Sequence, residues 1–300
     1  MKTALKWIGI VLAVLIAVLI VVVIAVFAIS NSRINATYDI QVEPVEIPTD
    51  EEAIARGEHV ATIRGCIDCH KGDFSGGVFI DDPGIGLLTA SNLTAGQGGV
   101  GSSYTDEDWV RAIRHGVRPD GKALLFMPSY EYYYLSDEDL GALIAYIKSV
   151  RPVDNQIPED SVGPLGRVLH LAGEFPLLPA ETIDHNGPRP TAPEPGVTVE
   201  YGAYLAVSCS GCHGPGFSGG PIPGVPPDWP PAKNLTPGGD LANWTEEDFI
   251  NTLRTGTTPE GYKLNAEYMP WPLAKEMTDE ELQALWLFLQ SLPAKETGNR

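Results

Sequence analysis

Residues 66–70 read Cys66-Ile67-Asp68-Cys69-His70, and the reading of this stretch decides the fold. Two cysteines three positions apart suit the two vinyl groups of a haem as thioether partners, and the adjoining histidine then falls beneath the iron as an axial imidazole. The stretch recurs as Cys209-Ser210-Gly211-Cys212-His213, and the two copies use all four cysteines of the chain. Other chemistries use a Cys-x-x-Cys pair. Half of a zinc site needs further ligands at similar spacing, and a thioredoxin-like redox pair needs a βαβ setting. Neither pattern accompanies these motifs, whereas their duplication in like surroundings points to two covalently attached haem c groups.

Working outward, Trp7 to Ile29 form an uncharged run of 23 residues, about 34 Å long as a helix and enough to cross a bilayer core. The run stays rich in Val, Ile and Leu to its end, without the small residues of a cleavage site, so it reads as an uncleaved anchor. Lys2 and Lys6 precede it and mainly acids follow, which by the positive-inside rule puts the N-terminus in the cytoplasm. The haem domains are then expected on the periplasmic or extracellular side of the cytoplasmic membrane. With those two lysines set aside, 18 basic residues face 39 acidic ones, a net charge of −21. Such acidity excludes nucleic acid as a partner and suits either plain solubility or the steering of a basic redox protein.

The chain divides into a transmembrane signal anchor (1–30), a polar tether (31–49) expected to lift the body off the membrane, a first domain (50–150), a connector (151–196), a second domain (197–293) and a tail (294–300). Thr49-Asp50-Glu51-Glu52 opens a helix that delivers the chain to Cys66, with Thr49 as its N-cap. A Gly-rich stretch from Gly72 to Gly101 has little periodicity and reads as a loop wrapping a flat ligand. Thr105-Asp106-Glu107-Asp108 is a capping-box pattern that starts a helix stopped by Gly116. A last helix begins at Ser136 and carries Leu140, Leu143, Ile144 and Ile147. The connector holds nine prolines and is expected to pack along the domains, with His170 and His185 as solvated side chains.

From Val197 the first domain is repeated. Ala232-Lys233-Asn234-Leu235-Thr236 echoes Ala90-Ser91-Asn92-Leu93-Thr94, Thr245-Glu246-Glu247-Asp248-Phe249 echoes Thr105-Asp106-Glu107-Asp108-Trp109, and Thr278-Asp279-Glu280-Glu281-Leu282 echoes Ser136-Asp137-Glu138-Asp139-Leu140. A duplication this long means two domains of one fold. Met127-Pro128 and Met269-Pro270 follow their histidines, His70 and His213, by 57 and 56 residues. These duplicated methionines are the candidate sixth ligands, since a soft thioether favours ferrous iron and raises the reduction potential. His59 and His115 are the rivals, but neither has a counterpart in the other half. Asn92 and Asn234 suit either a haem propionate or a turn, and Arg114 and Arg254 either a propionate or an exposed helix face. The run Tyr130, Tyr132, Tyr133 and Tyr134 reads as pocket wall and domain contact.

These motifs, with the last helix Leu143-Ile144-Ala145-Tyr146-Ile147-Lys148, resemble class I cytochrome c. The run through Asn92-Leu93-Thr94, Arg114-His115-Gly116-Val117 and Met127-Pro128 is similar to the membrane-bound cytochrome subunits of quinoprotein alcohol and sugar-acid dehydrogenases, which usually carry three haem motifs where this chain has two. The resemblance implies an all-α fold of two tandem class I domains after the transmembrane helix. It also implies that the first and last helices of each domain cross, Gly57 against Tyr146 and Gly202 against Phe288. The expected function is one-electron transfer between redox proteins, alone or as a subunit of a membrane oxidoreductase, without catalysis of its own. The alternative is a di-haem redox enzyme such as a peroxidase or a thiosulfate dehydrogenase.

Overall fold

The computed structural model describes residues 2–189, 191–226 and 228–299. Met1 of the predicted anchor, Pro190 of the connector, Pro227 of the second domain and Arg300 of the tail lie outside them. Helix α1 (Lys2–Ile34) contains the apolar run and is long and apolar enough to cross a membrane. Its last turns are polar, and Ser30 is fully buried against the body of the protein.

The first domain is built from α2 (Glu51–Ile63), the short α3 (Cys66–His70), strands β1 (Gly77–Asp82) and β2 (Gly86–Ala90), α4 (Asp106–His115), α5 (Ser129–Tyr132) and α6 (Asp137–Ser149). The connector adds β3 (Ser161–Val162) and α7 (Pro164–Leu171). The second domain repeats the helices as α8 (Val199–His213), α9 (Glu246–Thr255), α10 (Trp271–Ala274) and α11 (Asp279–Ser291).

Helix ends follow local chemistry. Thr105 and Thr245 each close a capping box with the aspartate three residues on, and Gly116 and Gly256 end these helices in the left-handed conformation that glycine adopts without penalty. Asp50, rather than Thr49, caps α2 by accepting from the Ala53 amide at 2.9 Å. In both domains the first and last helices cross at a glycine. A Cβ added to Gly57 would lie 2.0 Å from the Ala142 carbonyl oxygen and 2.8 Å from Tyr146 Cβ; at Gly202 the matching distances are 2.0 Å to Ala284 and 2.7 Å to Phe288. Only a residue without a side chain allows this approach. Phe74 and Phe217 then set their rings edge-on against Tyr146 and Phe288.

Three segments differ from expectation. The Gly-rich stretch contains an antiparallel hairpin, β1 with β2, and β3 extends it to three strands in the order β1-β2-β3. The Asp82 carboxylate closes the hairpin turn by accepting from the Gly84 and Ile85 amides, a side-chain turn that a search for periodicity passes over. Residues 35–49 are a strap rather than a loose tether. Tyr38 donates its amide to the Gly121 carbonyl, Ile40 is buried, and Val42, Val45 and Ile47 pack on the first domain. The connector packs along the first domain through a shared buried core, in which Phe175, Leu177, Leu178 and Ala180 join Ile40 of the strap and Leu88, Val117 and Ala123 of the first domain. His170 is buried there and His185 is half-buried, so neither histidine is a solvated side chain.

Candidate haem-binding sites

Each CxxCH segment is presented by the C-terminal end of its domain's first helical arm, by two routes. In the second domain α8 runs unbroken from Val199 through Cys209 and Cys212 to His213. In the first the helix breaks at Gly65, whose φ is 75°, and restarts as α3. Both histidines are then held alike. His70 donates its Nδ1–H to the Ser91 carbonyl at 2.8 Å, and His213 donates to the Lys233 carbonyl at 2.7 Å. A carbonyl can only accept, so the proton is fixed on Nδ1 and Nε2 carries the lone pair that a metal needs. Burial holds His70 below its ordinary value, which keeps this imidazole neutral.

Burial pushes the Cys66 and Cys209 thiols up to about 12 and the Cys69 thiol to about 11, and all four cysteines are free of disulfides. Among the described residues no group of three or more His, Cys, Asp or Glu side chains is arranged to hold a metal ion, so the further ligands a zinc site requires are missing.

Cys66 and Met127 pack on the core of the first domain, and Cys209 and Met269 pack on that of the second. The two Met-Pro turns have one geometry. Pro128 has φ −77° and ψ 56°, Pro270 has φ −74° and ψ 54°, and the amide after each proline donates to the methionine carbonyl at 2.7 Å. This is an inverse γ-turn, with the ring of proline fixing φ. The rival ligands are engaged elsewhere. His59 bonds both carboxylate oxygens of Glu281 at 2.9 Å. His115 sits 3.0 Å, Nδ1 to Nδ1, from His185; burial and the neighbouring His185 and Arg114 depress it to about 4.

The duplicated Asn and Arg serve the scaffold. Asn92 accepts from the amide and hydroxyl of Thr94 and donates to the Val153 carbonyl at 2.8 Å; Asn234 does the same with Thr236 and Lys295. Both pin the loop after the histidine to the chain that leaves the last helix. Arg114 reaches Asp137 and the Leu135 carbonyl, and Arg254 reaches Asp279 and the Met277 carbonyl. Each therefore ties its helix to the start of the last one. The residues present fit a haem in one further respect. The indole N–H groups of Trp109 and Trp271 are buried with no partner in the protein, and both would be satisfied by the acceptor oxygens of a bound group.

Sequence reasoning missed Arg64. Released by the break at Gly65 and almost fully buried, its guanidinium crosses into the second domain. There it donates to the carbonyls of Tyr204 and Leu205 and to Ser208 Oγ, at 3.0–3.1 Å, and lies 5.1 Å from the centre of the Tyr204 ring. Arg64 stands two residues before Cys66, and Ser208 stands one before Cys209. One side chain thus links the two CxxCH segments. Around it Tyr132 donates its hydroxyl to the Arg64 carbonyl within the first domain, Tyr204 of the second domain donates to Asp139 of the first, and α5, which carries Tyr130 and Tyr132, lies against α8. Gly211, in the second motif, leaves room for Glu131 of the first domain; a Cβ there would lie 2.3 Å from the carboxylate. Burial lifts Glu131 to about 7. The available signal was a lone arginine beside a haem motif whose repeat carries Val207 at that place.

Comparison with known proteins agrees with this geometry. The family described as cytochrome c matches residues 199–293, and the family of cbb3-type cytochrome c oxidase subunit III matches residues 52–147. The chain belongs to the c-type cytochromes and carries two cytochrome c domains. Within that class it is similar to the cytochrome c subunit of the quinone alcohol dehydrogenase of Gluconobacter oxydans, at 30% identity over 83% of this chain and 56% of that protein. It is also similar to the cytochrome c subunit of gluconate 2-dehydrogenase of Pantoea cypripedii, at 30% identity over 83% and 62%. A diheme c-type cytochrome of Cereibacter sphaeroides is 26% identical over 81% and 86%. The chain spans between half and two thirds of the length of the alcohol, fructose and gluconate dehydrogenase cytochrome subunits it matches.

Proposed function

We propose that this chain carries single electrons between redox proteins at the outer face of the cytoplasmic membrane, through two haem c groups held by the domains 50–150 and 197–293. Cys66 and Cys69 would bind the first haem and Cys209 and Cys212 the second. His70 with Met127, and His213 with Met269, would be the axial ligands. When bound, the haem supplies a one-electron iron centre, and the protein tunes it through ligand identity, burial and second-shell hydrogen bonds. The reading rests on one observation above the others: Arg64 fastens the two CxxCH segments to each other across the domain boundary. Two centres fixed side by side make a relay rather than two separate carriers.

The chain's own groups support closed irons. Both Met-Pro turns are stiffened by proline, both histidines are oriented through Nδ1, and neither site has a second duplicated ligand to exchange. Lys2 and Lys6 ahead of α1 support an N-terminus in the cytoplasm and haem domains outside. The acidity of the body suits a partner with a basic docking surface. The likeness to dehydrogenase cytochrome subunits supports membership of a membrane oxidoreductase complex, with catalysis left to another subunit.

A haem count on the full chain, with oxidised and reduced optical spectra of the wild type, Met127→Ala and Met269→Ala, tests this reading. Two covalent haems per chain are expected, with half of the weak iron–sulfur absorption lost in each variant. A wild-type protein that already binds carbon monoxide or peroxide readily would overturn it in favour of a redox enzyme.

A further inference from the structure

Helix α7 packs on the last turns of α1, and its position bears on how the body meets the lipid. Arg167, in the middle of α7, lies 4.8 Å from the ring centre of Phe27 and donates at 2.8 Å to both Ser30 Oγ and Asn31 Oδ1. Its Nε also bonds the Val162 carbonyl at 3.1 Å. Phe27 lies inside the apolar run that ends at Ile29, whereas Ser30 and Asn31 lie just past it. The guanidinium therefore stands at the level where the hydrocarbon core gives way to headgroups, with a ring on one side and polar groups on the other. This is where a long cationic side chain is most stable at a membrane.

The rest of α7 is held at the same level. The Leu165 and Gly166 amides donate to the Gly84 carbonyl at 2.9 and 3.1 Å, which fixes the helix to the β1–β2 turn. Arg33, one turn past Ile29, pairs with Glu181 through one guanidinium edge, Nε to Oε1 at 2.8 Å and Nη2 to Oε2. Body and anchor are thus joined by two arginines, Arg167 at the end of the apolar run and Arg33 one turn further on. Leu165 and Val168, flanking Arg167 and three residues apart on one helix face, are 50% and 47% exposed. Soluble surfaces show lone apolar side chains routinely, but these two adjoin a helix that crosses a bilayer, at its point of exit.

We propose that the Leu165–Val168 face of α7 is bedded in the lipid headgroup region beside α1. The first domain is then fixed at the membrane surface rather than held off it, and lipid is the partner of this face. An amphipathic segment of this kind inserts its apolar side at the boundary of headgroups and acyl chains, and continuity with α1 supplies the proximity. The proposal rests on α1 spanning the bilayer.

The test uses the full chain reconstituted into phosphatidylcholine–phosphatidylglycerol vesicles. A fluorophore is attached in turn to Leu165→Cys, Val168→Cys and Val18→Cys in the haem-loaded chain, and wild-type haem-loaded chain carried through the same labelling sets the background. Quenching by nitroxide lipid, with the nitroxide near the headgroup end of the acyl chain, is compared with quenching by iodide in water. Severalfold stronger quenching by the lipid nitroxide than by iodide at 165 and 168 is expected. Label at 18 quenched from within the lipid, with 165 and 168 answering mainly to iodide, would overturn the proposal and leave the anchor standing. Iodide quenching at 18 as well would overturn the anchor and the proposal with it.

Discussion

The two domains share a skeleton and differ in what covers it. In the first, the segment before Met127 is held by the connector: the Phe126 amide donates to the Leu177 carbonyl at 2.8 Å, and the Phe126 ring stacks on Phe175 at 5.1 Å. The stretch after its histidine forms, with the connector's β3, a three-stranded sheet, and the strap packs on the core through Val42, Val45 and Ile47. In the second, the Met269 segment meets the loop that follows His213 through Trp229 against Tyr268, 5.0 Å between centres, and Gly261–Lys263, Asn265–Glu267 and Pro270 are exposed. The crossing helices, the Nδ1 bond and the Met-Pro turn, on which the proposed ligation rests, are common to both domains. The layers beyond these are free to serve a position in an assembly. The first domain carries the strap and the connector, whereas the second leaves much of its Met269 segment exposed.

Removing the methionines breaks the comparison most sharply. Met127→Ala and Met269→Ala should each lower one reduction potential by a sizeable part of the ~0.8 V range that axial ligands command, read by spectroelectrochemical titration. An unchanged potential in either variant would end the correspondence between the two sites. Added imidazole sharpens the same contrast, and the iron–sulfur absorption that Met269 provides should bleach at lower concentration than that of Met127.

Gly57→Ala and Gly202→Ala come next. Each places a methyl group 2.0 Å from a backbone oxygen of the facing helix, so a loss of about 3 kcal/mol is expected for the domain concerned, at the upper end for overpacked cores. Denaturant unfolding followed at the haem band and by circular dichroism would show it. Equal losses would mean that the two crossings bear the same load despite their different coverings.

Arg64→Met tests the join itself. It removes a buried guanidinium and three hydrogen bonds from one side only, and about 2 kcal/mol of domain coupling should go with them. A single unfolding transition is expected to split into two in calorimetry. Val207→Arg, at the matching place in the second domain, should restore nothing.

The smallest effect is the pH dependence of the same interface. Glu281 raises His59 above its ordinary value, against an opposing effect of burial, and Asp139 and Glu276 act in the same direction as Glu281. Stability from a raised histidine is whole below about 6.5 and fades as pH rises through the higher folded value. His59 and the Thr278 amide together hold Glu281 below the usual carboxylate range, so its share persists above that range and is lost as pH falls through the lowered value. The pair is partly exposed, so about 1 kcal/mol or less is involved. His59→Gln should flatten the dependence of domain coupling on pH between 6 and 8, as ~6.5 is the ordinary midpoint; an unaltered slope would remove His59 from the account.

What the sequence by itself determined is what depends on spacing along the chain. CxxCH, the capping boxes at Thr105 and Thr245 and the glycines that end α4 and α9 act within a turn, so their patterns are legible and repeat, whereas the crossings at Gly57 and Gly202 were legible only through the resemblance to class I cytochrome c. The tertiary structure decided what depends on which surfaces meet. The strap over α6, the connector core around Phe175 and Leu177, the partners of Asn92 and Arg114, and the passage of Arg64 into the second domain all join residues dozens of positions apart. Their side chains carry no periodic signal, because a single buried arginine or a pair of valines acquires a role only when another segment arrives to accept its hydrogen bonds or cover its apolar face.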